Sequence, residues 1–305
     1  MPSSSSRFAY LAWVAVCLIW GTTYLAIRIS LETIPPLLMS GFRWPIAGSI
    51  ILVALTIRGE RIPARSQWPA MALLGVLLIG FGNGCVVWAE QTIPSGLTAV
   101  LVASVPFWMV GVERFMKESD HLSRRRIVGL IVGFTGIVLL VWPELRLGAG
   151  RPFLMGVAAT QMACLGWAIG SSYSRRRHAN ENVLAAAALQ MLFGGLCLVV
   201  AGLLRGEWAT LAFNQRTAGA LVYLTIAGSI GGFSAYAYAL KYLPVATVSL
   251  YAYVNPIIAV LLGTLVLGEP LSPRLAVAGA IVLVGMGLVR ETAPASRRVV
   301  RSVRL

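Results

Sequence analysis

Residues 94–116, PSGLTAVLVASVPFWMVGVERFM, and residues 244–267, PVATVSLYAYVNPIIAVLLGTLVL, are two membrane-length apolar runs built on one plan. Pro94 and Pro106 stand twelve positions apart, Pro244 and Pro256 stand twelve apart, and 150 positions separate the two pairs. A proline inside a helix removes one backbone hydrogen bond and crowds the preceding turn. Each run is therefore expected to be a kinked or interrupted helix, hinged at Pro106 and at Pro256. In a membrane protein, interrupted helices at matching places in two halves point to a transporter's substrate site.

Composition agrees with that setting. The 305 residues are 58% hydrophobic and only 12% charged, too apolar for a soluble chain of this length and natural for a polytopic membrane protein. The formal charge of +14 could suggest nucleic acid, but all the basic residues except Lys117 and Lys241 are arginine, clustered in short gaps between apolar runs. Charge so placed reports topology, and no nucleic-acid partner is expected. Cys17, Cys85, Cys164 and Cys197 lie inside apolar runs without close Cys or His neighbours, so neither a metal site nor a disulfide is implied. The opening segment carries a basic residue before an apolar stretch of about 20 residues and has no small-residue cleavage site; it reads as a first span.

Windows able to cross a ~30 Å hydrocarbon layer number ten: 8–28, 36–57, 68–90, 95–113, 125–142, 153–174, 183–204, 217–239, 245–267 and 273–290. With the N-terminus inside, the inner gaps collect Arg58, Arg61 and Arg65, the runs Arg124–Arg126 and Arg175–Arg177, and the tail 291–305. They outnumber the outer set of Arg28, Arg146, Arg151, Arg205, Arg216 and Arg274, so both termini are expected on the cytoplasmic side. The halves also repeat. Trp20 and Arg28 match Trp167 and Arg175 at an offset of 147, and Arg58-Gly59-Glu60 matches Arg205-Gly206-Glu207 at the same offset. Five spans per half is an odd number, so residues 8–142 and 153–290 are expected to be two inverted repeats, an all-α polytopic fold suited to alternating access, followed by a basic cytoplasmic tail at 291–305.

The segments IWGTTYLAIR (19–28), GFRWPIAG (41–48), AEQTIPSGLTAVLVASVPFW (89–108) and SLYAYVNPIIAVLLGTLVLGE (249–269) resemble the drug/metabolite transporter superfamily. Within it the chain is most similar to the ten-helix EamA-type permeases of the YedA-like exporter subgroup, and the resemblance runs from residue 8 to 290. It implies a bacterial inner-membrane transporter for metabolite or drug efflux, with a cavity between the halves and with the spans at 125–142 and 273–290 peripheral.

Several side chains at span depth are candidates for the substrate cavity. Glu90 is the only deep carboxylate; facing the cavity, it could exchange a proton or bind a cationic group, and otherwise it reaches for interfacial water. Arg43 could bind a substrate carboxylate, pair with Glu90, or snorkel to the headgroups. Ser104 precedes Pro106, while Tyr251 and Asn255, four apart on one helix face, precede Pro256, so each sits near carbonyls that a proline frees. Trp20, Trp167, Thr23, Ser171, Gln161 and Asn83 complete an aromatic, weakly polar set whose plain alternative is helix packing. Such a cavity suits amphiphilic or zwitterionic small molecules better than phosphates, which would call for several inward cations. Partners are therefore a small-molecule substrate, the lipid bilayer, and a proton or counter-substrate. His121 and His178 have no partner at catalytic or metal spacing and no phosphate loop is present, so neither an enzyme nor a cofactor is expected. The competing reading is a non-transporting receptor or assembly factor on the same fold.

Overall fold

The structure, a computed structural model, describes residues 4–115, 123–147, 150–177, 182–243, 245–248 and 250–289. The regular elements among them are all helical. In chain order they are α1 (Ser4–Ser30), α2 (Pro36–Ile57), α3 (Arg65–Ala89), α4 (Ser95–Val102 continued by Val105–Phe115), α5 (Arg124–Leu147), α6 (Gly150–Arg177), α7 (Val183–Leu204), α8 (Gln215–Tyr242), α9 (Val245–Val248 continued by Tyr251–Leu267) and α10 (Pro273–Val289). α3 opens with a 3-10 turn, Arg65–Gln67, and another, Glu207–Thr210, precedes α8. Pro244, His121, His178 and the basic segment 291–305 lie outside the described residues.

Among the described residues, eight helices, α1 to α8, are long and apolar enough to cross a membrane, and two apolar helices, Tyr251–Leu267 and Pro273–Val289, are shorter. At 1.5 Å per residue, 17 residues cover roughly 26 Å of a ~30 Å layer. The expected run at 245–267 is split because the chain turns at Leu250, where the Leu250 N–H donates to the Thr247 carbonyl (3.1 Å) and the Tyr253 N–H to the Leu250 carbonyl (3.0 Å). In α4 the break falls at Ala103–Ser104, which places Pro106 in the first turn of the following segment, where its missing N–H costs nothing. Pro256, by contrast, sits inside a continuous helix, six residues beyond its break.

The repeated Arg-Gly-Glu motif acts twice. Gly59 (φ 69°) and Gly206 (φ 74°) end α2 and α7 in the left-handed region that glycine adopts without a Cβ penalty. Each turn sends its glutamate toward the other helix. Glu207 accepts the Leu37 and Leu38 N–H groups at 3.0 and 2.9 Å, capping α2. At the opposite end Glu60 reaches α7 through an intermediary: Asn182 donates to Glu60 (3.4 Å) while its carbonyl oxygen accepts Leu184 and Ala185 N–H at 3.1 and 3.2 Å. A third carboxylate follows the turn that ends α9. Glu269 accepts Ser95 N–H (2.8 Å), Ser95 Oγ–H (2.9 Å) and Gly96 N–H (3.1 Å), tying α9 to the start of α4 at the end where Glu207 lies.

The packing interleaves the two halves. α2 lies along α7, α5 along α10, α1 against α8 and α9, and α6 against α3 and α4. Apolar cores fill the spaces between α3, α4, α5 and α10 and between α2, α3 and α7. Both α3 and α8 widen into a π-helical stretch, Val76–Asn83 and Leu224–Gly231, at matching positions 148 apart. Such turns misalign backbone carbonyls and are common at functional sites. Against each lies the tryptophan of the other half's first helix: a Cβ at Gly232 would stand 2.3 Å from Trp20 Nε1, and one at Gly82 would stand 2.3 Å from Trp167 Cδ1.

Candidate substrate site

Three polar groupings line the contacts of the interrupted and π-bulged helices with α1, α2 and α6. The first is aromatic. On α1, Trp20 is surrounded by Phe233 (5.2 Å between ring centroids), Tyr236 (5.3 Å) and Tyr251 (4.9 Å, edge-on), and its indole N–H donates to the Gly228 carbonyl at 3.1 Å. That carbonyl belongs to the π-helical stretch of α8. Thr23 bonds back to the Trp20 carbonyl at 2.7 Å, with its methyl against Gly228. Asn255 is buried, and in the amide orientation that satisfies its neighbours its nitrogen donates to the carbonyls of Tyr251 (3.0 Å) and Cys17 (3.1 Å). It thereby bolts α9 to α1 one residue before Pro256. Tyr253 points elsewhere, toward Gly287 of α10.

The second grouping is at the break in α4. Ser104 is fully buried and donates to Gln161 Oε1 (3.2 Å), which also accepts the Trp108 indole N–H (2.9 Å). The Cys164 thiol faces the carbonyls of Leu101 and Val102 at 3.8 and 3.9 Å, the latter being the carbonyl that Pro106 cannot engage. Gln161 Nε2 is buried without a hydrogen-bond partner.

The third grouping is strung along α2. Trp44 donates to Asn83 Oδ1 (2.9 Å), which also faces Ser40 Oγ (3.4 Å). Arg43 is only 3% exposed; its Nε donates to Ser229 Oγ (2.8 Å), its guanidinium carbon stands 4.2 Å from the centre of the Trp44 ring, and Nη1 has no hydrogen-bond partner. Ser229 passes the interaction on to the Leu224 carbonyl at 3.1 Å, five residues back as the π-helical spacing dictates.

The possible Arg43–Glu90 pair does not form. Arg43 is held by Ser229 on α8 and by the Trp44 face, while Glu90, fully buried at the end of α3, has no hydrogen-bond partner at either carboxylate oxygen. Tyr24 and Arg28 of α1 and Glu269 are electrostatic neighbours of Glu90, and the Arg28 guanidinium bonds the Glu90 main-chain carbonyl. Trp167 lies against Gly82 in α3, apart from the aromatic group around Trp20, and Ser171 is half-buried on α6.

Sequence reasoning missed Tyr24, Ser229, Phe233, Tyr236 and Trp108. Tyr24 was within reach, because Cys17, Trp20, Tyr24 and Arg28 follow one another at helical spacings of three, four and four on one face of α1. The counterpart series on α6 is Cys164, Trp167, Ser171 and Arg175, all 147 positions on. An open groove of about 500 Å³ lined by Arg58, Glu60, Arg61, Gln67 and Asn182 lies at the far end of α2, away from all three groupings.

The EamA-like transporter family matches the chain twice, over residues 7–142 and 154–290. The uncharacterized inner membrane transporter YedA of Escherichia coli (strain K12) is 37% identical over 267 residues, which cover 86% of this chain and 83% of that one. Protein PecM of Dickeya dadantii is 28% identical over 290 residues, covering 94% and 93% of the two chains. Transporter YoaV of Bacillus subtilis is 24% identical over 286 residues, covering 93% and 97%. A crystal structure with 21% sequence identity superposes at a TM-score of 0.65 over 95% of this chain and 98% of its own, a likeness of fold.

Proposed function

The chain belongs to the EamA-like transporter family, a multi-pass membrane transporter, and on that premise we propose that it is a secondary transporter exporting small amphiphilic or zwitterionic molecules across the bacterial inner membrane by alternating access. The observation that supports this most is that each interrupted helix is held by a polar side-chain contact from the other half of the chain: Gln161 meets Ser104 and Trp108 of α4, and Asn255 of α9 meets the Cys17 carbonyl of α1. A backbone already broken at Ala103–Ser104 and at Leu250 bends at lower cost than an intact helix, so rocking of one half against the other is concentrated there. In this reading both termini lie on the cytoplasmic side, an orientation that the arginine distribution supports.

Substrate counterflow in proteoliposomes tests the reading. Saturable binding without counterflow would mark a receptor and overturn it. Asn255→Ala removes the α9–α1 bolt and Pro256→Ala restores a helical hydrogen bond beside the break; each is expected to slow counterflow by about tenfold, on the order of 1.4 kcal/mol at the barrier. Wild-type rates in both variants would exclude α9 as the moving element.

Glu90 is the proton-exchanging group in this proposal. A buried carboxyl without a hydrogen-bond partner is costly to ionise, which suits Glu90 to take up and give off a proton, with the Arg28 guanidinium held nearby on its main-chain carbonyl. A gradient of one pH unit can sustain at most about a tenfold substrate ratio per proton exchanged. Glu90→Gln, frozen in the neutral form, is expected to hold that ratio near unity while preserving counterflow. An undiminished ratio in the variant would remove Glu90 from the coupling.

A further inference from the structure

A guanidinium stays protonated at any working pH, so Arg43 cannot shed its charge as Glu90 can. At 3% exposure in the second apolar helix, it is a cation withdrawn from water, and such a charge demands compensation. Its described neighbours supply dipoles and a ring but no carboxylate: Ser229 from α8 takes Nε, Trp44 of α2 underlies the guanidinium, Thr23 of α1 offers a methyl, and Gly228 offers no side chain at all. The carboxylate of Glu90 has no hydrogen-bond partner, Arg28 reaching only its main-chain carbonyl. Nη1, one arm of the fork, is buried and unpartnered.

From this we propose, resting on the transporter reading, that Arg43 binds the carboxylate of the transported molecule, and that the substrates are organic monocarboxylates with an apolar or aromatic body. A carboxylate presents two oxygens to the guanidinium fork and brings the single negative charge that one arginine can balance. A phosphate dianion would leave about one charge uncompensated. The body of the substrate has a surface to follow. From Trp44 the aromatic rings continue to Phe233 (5.8 Å between centroids), then to Trp20 (5.2 Å) and to Tyr251 (4.9 Å). Gly228 packs closely beside the guanidinium, so that a Cβ there would stand 3.2 Å from Arg43 Nη2 and 3.1 Å from the Thr23 methyl. A staple joining α2 to α8 would need only the Nε–Ser229 bond; the free Nη1 is what a staple leaves unexplained.

The test is thermal unfolding of the full chain in detergent, titrated with phenylacetate, 3-phenylpropionate, 4-phenylbutyrate and indole-3-propionate, each paired with its primary amide, and with chloride alone. At least one acid is expected to stabilise the wild type in a saturable manner while its amide, of equal body and micelle partition, does not. Arg43→Gln should weaken that acid by about 30-fold or more. Should Arg43→Gln fail to fold, Gly228→Ala serves in its place. Its added methyl displaces the guanidinium by a few tenths of an ångström and should weaken the acid, whereas Gly219→Ala on the same helix, where a Cβ meets nothing within 4 Å, should leave the titration unchanged. Stabilisation by no acid, equal stabilisation by acid and amide, saturation by chloride with no further gain from any acid, or undiminished binding in the Arg43 or Gly228 variants would overturn the proposal. Acid-specific binding without counterflow would instead retire the transporter reading and leave the anion site standing. Counterflow indifferent to the exchange of acid for amide would do the reverse.

Discussion

Gly285→Ala is expected to destabilise the protein by about 2–3 kcal/mol, although it adds a single methyl group and improves helix propensity. A Cβ at that position would stand 2.4 Å from the Gly133 nitrogen, 2.5 Å from Gly133 Cα and 2.8 Å from the Gly129 carbonyl oxygen. All three are backbone atoms of α5, so no rotamer change relieves the clash and the two helices must separate. In lipid, where apolar side chains gain little by leaving one neighbour for another, close backbone contact is a main source of helix association. Thermal or SDS-induced unfolding in micelles measures the loss. Gly111→Ala is the matched control: it also lies in a helix, but a Cβ there meets nothing within 4 Å, and the substitution should be neutral or slightly stabilising. A Gly285 variant as stable as the control would show that α5 and α10 do not touch as described.

Glu269→Ala is expected to cost about 3 kcal/mol in the same assay and to loosen one end of the bundle. Three donors at the start of α4 lose their acceptor at once, two of them backbone N–H groups that a helix N-terminus cannot satisfy internally. The carboxylate also rests on Gly263 of α9, where a Cβ would approach Glu269 Oε2 to 2.4 Å. Gly263→Ala should therefore reproduce part of the loss without touching the charge. Increased reactivity of a cysteine placed at Ser95 toward a membrane-impermeant maleimide would report the opening. Unchanged reactivity together with unchanged stability would mean that the carboxylate is a surface ornament.

Much of this architecture is legible before any coordinates. The Arg-Gly-Glu motifs at 58–60 and 205–207 announce themselves by their spacing, and both turn out to be left-handed helix ends whose glutamates meet the opposing helix. Windows of strong hydropathy locate α1 to α8 because water is excluded from whole helices. The failures have physical causes too. Proline marks where a helix can break, yet whether it does depends on the neighbours. Asn255 lends its side chain to the α9–α1 contact, Pro256 is carried within a helix, and the break retreats to Leu250. The π-helical stretches at 76–83 and 224–231 leave no periodic trace because these segments are apolar on nearly every face. Arg43 and Glu90 were natural partners by charge and depth, but α8, remote in sequence, supplies Ser229 at closer quarters. Tertiary contacts of that kind leave no mark in a local pattern.

The three glutamate contacts are unequal at the two ends of the bundle. At the end holding Glu207 and Glu269, charged oxygens grip helix N-termini directly at 2.8 to 3.1 Å. At the other, the grip on α7 passes through the neutral amide of Asn182 and a 3.4 Å contact with Glu60. Charge-assisted bonds are roughly twice as strong as neutral ones, so the first end is the harder to part. In the orientation proposed above it would be the outer end. On the export reading proposed above, a transporter so clasped would rest open toward the cytoplasm, and a bound molecule would have to outweigh two carboxylate clasps before the far side parted.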